Sequence, residues 1–284
     1  MVPRRHGQGA GPPQCGARRG ESRLRSLSGL VAMAGLCIGL SLSGAAAQPD
    51  SAAAPSSRCA VQAALRTFAE DLPNSRTALR DGRSLTIVAL GSSSTAGTGA
   101  SSDQTTYPAV LKAELERLLP GHEISVINRG IGGNSAMQMY HRMDDEVISE
   151  EPNLVIWQTG VNDAIGDIGL DRFKRMLRKG IAKLREAGID VLLMDQQPLP
   201  RAERYPAYTD YLTALREVAT ETSVPVYRRY DVMTELLRDG RLRQDEIFSS
   251  DALHMVDGSY YCVGTTLARS IVEKLAPRAL GAIR

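Results

Sequence analysis

The chain has 284 residues, 43% of them hydrophobic and 23% charged, an ordinary globular composition that excludes a disordered, fibrous or multi-span membrane protein. Thirty-four Lys and Arg against 32 Asp and Glu give a formal charge of +2, but six of the arginines and one glutamate fall within residues 1–47. Subtracting them leaves 28 basic and 31 acidic side chains, a mildly acidic body without the basic footprint that nucleic-acid binding requires.

In chain order, residues 1–47 read as an export signal. Arginines run to Arg25, a weakly apolar stretch follows over 30–42, and Ala45, Ala46 and Ala47 supply a cleavage site, with Gln48 as the mature start. The apolar stretch is short and rich in Gly and Ser, which disfavours a membrane span. A retained N-terminal anchor is the alternative, and the long basic segment leaves room for a start codon further downstream. The expected product is a bacterial protein sent to the periplasm or secreted, with no stable membrane span once the signal is removed. Residues 48–83 comprise a linker of small residues and Pro followed by an amphipathic helix predicted over 59–71.

From residue 84 a regular alternation sets in. Strands are predicted over 84–90, 123–128, 153–158, 190–195 and 224–227. Helices are predicted over 107–119, 135–148, 171–187, 205–221 and 258–275. The strands are nearly continuous apolar runs, as expected of a parallel sheet covered on both faces. The fold class is therefore α/β, a three-layer α/β/α sandwich around a central parallel five-stranded sheet, forming one domain over 84–284. Active sites in such folds lie at the carboxyl ends of the strands.

Cys15 and Cys37 leave with the signal, so the mature chain keeps Cys59 and Cys262. In an oxidising compartment these two could staple the N-terminal segment to the last helix; two buried free thiols are the other reading. No Cys/His group has zinc-ligand spacing, so neither a metal nor a cofactor is expected.

Four segments at or after the strand ends carry reactive residue types. They are Gly91-Ser92-Ser93-Ser94, the run from Asn128 to Ser135 (NRGIGGNS), Gly160-Val161-Asn162-Asp163, and Asp251-Ala252-Leu253-His254. Acyl transfer needs a nucleophile, a base, a carboxylate that orients the base, and donors for the oxyanion. A serine just past a strand and at a helix start can expose its Oγ and offer its N–H. Gly133 lets backbone approach a substrate closely, and Asn162 can add a side-chain amide. Asp251 and His254, three residues apart, can meet across one turn.

These segments resemble the SGNH (GDSL-type) hydrolase superfamily of serine esterases and lipases, in that family's chain order and over about residues 84–275. The resemblance implies the flavodoxin-like SGNH fold and makes Ser93 the nucleophile of the GDS-like turn. Gly133 becomes the oxyanion glycine, with Gly132 one residue away as a competitor. Asn162 becomes the oxyanion side chain, and Asp251 and His254 complete the triad. The family's usual aspartate in the first block is Ser92 here, which puts the geometry of the turn in question and leaves Ser92 and Ser94 as neighbouring candidates. Asp163 is expected to brace its loop rather than act as a base, and Trp157 to lie in the core.

Gln158, Gln196 and Met255 are expected to line the substrate pocket. Few aromatic residues and no apolar lid insertion favour a small or short-acyl ester, such as an O-acetyl group, on a small molecule or a glycan. The reading is an exported serine esterase. The alternatives are an acyltransferase using the same triad and a non-catalytic cell-envelope binding protein.

Overall fold

The most apolar segments of the chain become the middle of a parallel sheet, because only strands covered on both faces can bury such runs. The structure, a computed structural model, describes residues 55–276, so the predicted signal lies outside the described residues. A single turn, α1 (Pro55–Arg58), and a 3-10 turn at Ala63–Leu65 lead into α2 (Pro73–Arg80). There follow β1 (Leu85–Gly91), α3 (Ser93–Ala96), α4 (Tyr107–Leu118), β2 (Ile124–Gly130), α5 (Ala136–His141), α6 (Met143–Glu146), β3 (Leu154–Gln158), α7 (Val161–Ile165) and α8 (Leu170–Glu186). The chain continues through β4 (Asp190–Met194), α9 (Tyr208–Thr222), β5 (Val226–Tyr227), α10 (Arg229–Arg238), α11 (Gln244–Ile247) and α12 (Asp257–Leu275).

The sheet order is β2-β1-β3-β4-β5, with every pairing parallel. Alternate strand residues feed two separate cores. Leu85, Ile87, Ala89, Leu154, Ile156, Leu192 and Met194 pack with α4, α10 and α12 on one face. Val88, Leu90, Val155, Trp157, Val191 and Leu193 pack with α5, α8 and α9 on the other. The result is the expected three-layer α/β/α sandwich. Trp157 is fully buried, and a Cβ at Gly180 would lie 2.5 Å from its ring, so glycine at that point lets α8 seat against β3.

Three helical expectations are corrected. The N-terminal helix forms at 73–80 rather than 59–71. Pro73 favours the first helical turn, and the buried Asp190 carboxylate accepts the Ser75 N–H at 2.8 Å and its Oγ at 2.8 Å, satisfying donors the helix start leaves free. Residues 59–71 are instead held by tertiary contacts: Gln62 N–H donates to Glu235 Oε1 at 2.8 Å, and Phe68 is buried in the core. The helix predicted over 135–148 is broken at Arg142, which ends α5 and precedes α6 with non-helical backbone. Helix α10 was not predicted. It starts at Arg229, a fully buried arginine whose Nε donates to the Asp195 carbonyl at 2.9 Å and whose burial lowers its pKa.

Cys59 and Cys262 form a disulfide with their Cα atoms 4.9 Å apart, joining the N-terminal segment to α12 across 203 residues of sequence. Closing so long a loop restricts the unfolded chain strongly. Replacing both cysteines with serine is expected to cost about 2–5 kcal/mol, seen as a lowered thermal midpoint; a double variant that melts with the wild type would contradict this.

Candidate active site

Parallel pairing brings Gly91, Gly130, Gln158 and Met194 to one edge of the sheet. β1 ends at Gly91, where a Cβ would lie 2.0 Å from Thr95 Oγ1 and 2.7 Å from Gln158 Oε1, so the turn closes only around glycine. Ser92 is extended and Ser93 opens α3. The Ser92 carbonyl accepts the Thr95 and Ala96 N–H groups at 3.0 and 2.9 Å. Because the peptide is planar and trans, that fixes the Ser93 N–H pointing the opposite way, out of the helix start. Of the three consecutive serines, Ser92 and Ser94 are each 2% exposed, while Ser93 is half-buried and reaches the surface.

His254 Nε2 lies 2.9 Å from Ser93 Oγ, and His254 Nδ1 lies 2.6 Å from Asp251 Oδ2. The loop that carries this pair is pinned at its base by the Phe248–Met255 bridge and by the Ser249 N–H donating to the His254 carbonyl at 2.8 Å. Asp251 Oδ1 accepts from Ser249 Oγ at 2.6 Å and from the Leu253 and His254 N–H groups at 2.9 Å each. Partial burial pushes the Asp251 carboxyl up, but the hydrogen bonds from Ser249, the His254 ring and the two backbone N–H groups outweigh it and hold it well below the ordinary carboxylate range.

The second and third segments meet across α5 and α7. Gly133 has φ +78°, a conformation that favours glycine, and a Cβ on Gly132 would stand 4.0 Å from the Ser93 Cβ. The Asn162 amide donates to the Asn134 carbonyl at 3.0 Å, which orients it and leaves its second N–H for another acceptor. Asp163 is fully buried and accepts the Ala136 N–H at 3.0 and 3.1 Å; burial raises its pKa to about 6. Its contacts tie the two loops together.

The three residues expected to line the pocket are fully buried, a correction of that expectation. Gln158 lies beneath the Ser92–Thr95 turn, Gln196 donates to the Gly160 and Tyr208 carbonyls, and Met255 belongs to the core. At the chain's surface, Ile131 is 43% exposed beside the Gly132-Gly133 loop. A cleft of about 800 Å³ adjoins the Asp251–His254 loop, lined among others by Arg201, Gln244, Phe248, Ser249 and Ser250.

Two residues, Arg142 partly buried and Gln197 buried, brace the site in a way that was not anticipated. Arg142 Nη2 donates to the Gly91 and Arg129 carbonyls at 3.1 and 2.8 Å, and its Nε to Asn134 Oδ1 at 3.0 Å. One guanidinium thus links the ends of β1 and β2 to the glycine loop. Gln197 Nε2 donates to the Leu253 carbonyl at 3.0 Å, next to His254, and the Tyr208 hydroxyl holds the Gln197 carbonyl at 2.7 Å. Neither had a local signal in the sequence: the break at residue 142 is seen only in the structure, inside a stretch whose pattern predicts an unbroken helix. Among the described residues no His, Cys, Asp and Glu group is arranged to hold a metal ion, and no helix is long and apolar enough to cross a membrane.

The sequence model of the Non-GDSL lipase-like family matches residues 58–277. An acetylxylan esterase from Geobacillus stearothermophilus is 24% identical over 173 residues, 54% of this chain and 77% of that protein. The crystal structure of a lipase/acylhydrolase from Enterococcus faecalis superposes with a TM-score of 0.56 at 25% identity, over 68% of this chain and 98% of the other. A two-domain esterase active on acetylated mannans gives a TM-score of 0.60 at 20% identity, covering 75% of this chain and 57% of that one.

Proposed function

The chain belongs to the Non-GDSL lipase-like family and is a carboxylesterase, and on that footing we propose that it works through a Ser93-His254-Asp251 triad on short-acyl esters, O-acetyl groups on glycans in particular. The observation that carries this reading is the continuous contact from Ser93 Oγ through the His254 ring to Asp251, at 2.9 and 2.6 Å.

In this mechanism Ser93 Oγ attacks the ester carbonyl while its proton passes to His254 Nε2. Asp251 holds the ring with its Nδ1 protonated and stabilises the imidazolium. The Ser93 and Gly133 N–H groups and the free N–H of Asn162 meet the oxyanion. The tetrahedral adduct collapses, His254 returns the proton to the departing alkoxide, and an acyl-serine remains. Water then attacks that acyl group, giving its proton to His254, which passes it to Ser93 Oγ as the carboxylic acid leaves.

The substrate class draws on two relatives, one an acetylxylan esterase and the other active on acetylated mannans. The cleft beside the Asp251–His254 loop would receive the remainder of such a substrate. Export is supported by the signal-like residues 1–47 and by the Cys59–Cys262 disulfide, a bond that persists in oxidising compartments.

Hydrolysis of p-nitrophenyl acetate, butyrate and octanoate, alongside acetylated xylan, tests the reading. Turnover is expected to be fastest on acetate and to fall with acyl length. Preference for octanoate would overturn the short-acyl assignment. Product appearing on an added sugar or glycerol would instead indicate an acyltransferase, and failure to label with a fluorophosphonate would indicate a binding protein.

A further inference from the structure

We propose that Gln158 is a positioning residue for the turn that presents Ser93, an inference that rests on Ser93 being the nucleophile. Gln158 ends β3, is fully buried and touches no surface a substrate could reach. Its Oε1 accepts three donors that bracket Ser93: the Ser92 N–H at 2.9 Å, Ser92 Oγ at 3.2 Å and Thr95 Oγ1 at 3.0 Å. Thr95 Oγ1 also lies 3.0 Å from the Tyr107 hydroxyl, which ties the contact back to α4.

Two observations argue that this is more than packing. The residue preceding α3, Ser92, supplies no side-chain cap to its own helix; its hydroxyl donates sideways to Gln158 instead. The short α3 turn is thus held from β3. Second, the amide orientation is fixed, since rotating it would set Nε2 against the Ser92 N–H, donor against donor. In the orientation that remains, Nε2 is buried with no partner among the described residues. Such a group is a standing cost to folding that a leucine would avoid, and costs of this kind concentrate where a site needs them.

The geometry links this contact to the chemistry. Ser92 is anchored at both ends: its N–H on Gln158, its carbonyl on Thr95 and Ala96. Together they set the plane of the peptide that carries the Ser93 N–H, and with it the direction of Oγ. Freed from Gln158, the turn can rotate and misalign the nucleophile and one oxyanion donor at once. The same contact accounts for serine in place of the first-block aspartate: residue 92 must donate to Oε1, and a carboxylate there would oppose it.

The test compares kcat and KM on p-nitrophenyl acetate for the wild type, Gln158→Met, Gln158→Glu and Ser93→Ala. Methionine keeps the volume and removes the acceptor, so kcat is expected to fall about 10²-fold, the effect of a small misplacement of reacting groups, with KM unchanged. Glutamate keeps an acceptor oxygen in either protonation state and is expected to restore most of that loss. Wild-type kcat in Gln158→Met, equal losses in both Gln158 variants, or a raised KM at unchanged kcat would overturn the proposal. Should Gln158→Met not fold, Thr95→Val, which removes one of the three donors, is expected to lower kcat at constant KM; unchanged kcat there counts against it equally. Activity surviving in Ser93→Ala would overturn the nucleophile assignment itself, whereas an inactive Ser93→Ala beside a fully active Gln158→Met would overturn only the role of Gln158.

Discussion

Alanine at Ser93 or at His254 is expected to lower kcat by about 10⁴- to 10⁶-fold, and the double variant by little more than either single one. The two act as a unit. Without Oγ there is no atom for His254 to deprotonate, and without the ring the 2.9 Å contact from Oγ has no acceptor for its proton. What activity remains would come from oxyanion donors and binding. Ser94→Ala is the matched control, since that side chain is 2% exposed and cannot reach a substrate. Steady-state rates on p-nitrophenyl acetate decide the matter, with fluorophosphonate labelling to report whether the nucleophile is lost. Losses that multiply in the double variant would mean that the two residues act separately.

The parts of this molecule legible in the sequence are those set by local pattern. β1, β3 and β4 announced themselves because strands covered on both faces cannot afford polar residues in the middle. The Asp251–His254 pair was legible because its contact spans three residues. Ser93 was singled out by the resemblance and its register alone, since its two serine neighbours share every local feature; in the structure burial separates the three.

The braces were not legible, because they act across long stretches of sequence. Arg142 reaches the Gly91 carbonyl across 51 residues, Gln158 reaches Ser92 across 66, and Gln197 reaches Leu253 across 56. An alternating pattern reports which face of a strand is buried, not which atom a buried amide will meet. The same limit explains the misplaced pocket residues. A glutamine at the end of a strand sits at the correct edge of the sheet, and whether its side chain turns outward or under the neighbouring turn depends on donors elsewhere in the chain. Helix α10 was hidden for a related reason: a fully buried arginine at its start reads, in sequence, as a solvated charge.

Asparagine at Asp251 is expected to cost about 10⁴-fold in kcat while leaving the loop folded. The carboxylate has two distinct duties. Oδ1 accepts Ser249 Oγ and the Leu253 and His254 N–H groups, and Oδ2 accepts His254 Nδ1–H. An asparagine must put its amide nitrogen on one side. Two of the three donors facing Oδ1 are backbone N–H groups that cannot turn away, so the amide oxygen takes that side and Nδ2 faces the ring. His254 Nδ1 must then accept, which moves the ring proton to Nε2, where it points at Ser93 Oγ and the ring can no longer serve as a base. Stability should fall modestly near neutral pH, because the ionised carboxylate is the form its donors favour. The wild-type carboxyl is held below its ordinary value of 3.8, so the stabilisation that its ionised form contributes is complete above that pH and is lost only as pH falls further. Thermal melts at neutral pH should therefore place Asp251→Asn modestly below the wild type, with KM unchanged and kcat collapsed, and the gap should narrow as pH falls below 3.8. Asp251→Ala, which also releases the three donors on Oδ1, should melt lower. An Asp251→Asn enzyme that kept its kcat would remove the carboxylate from the mechanism and leave His254 to be oriented by the loop alone.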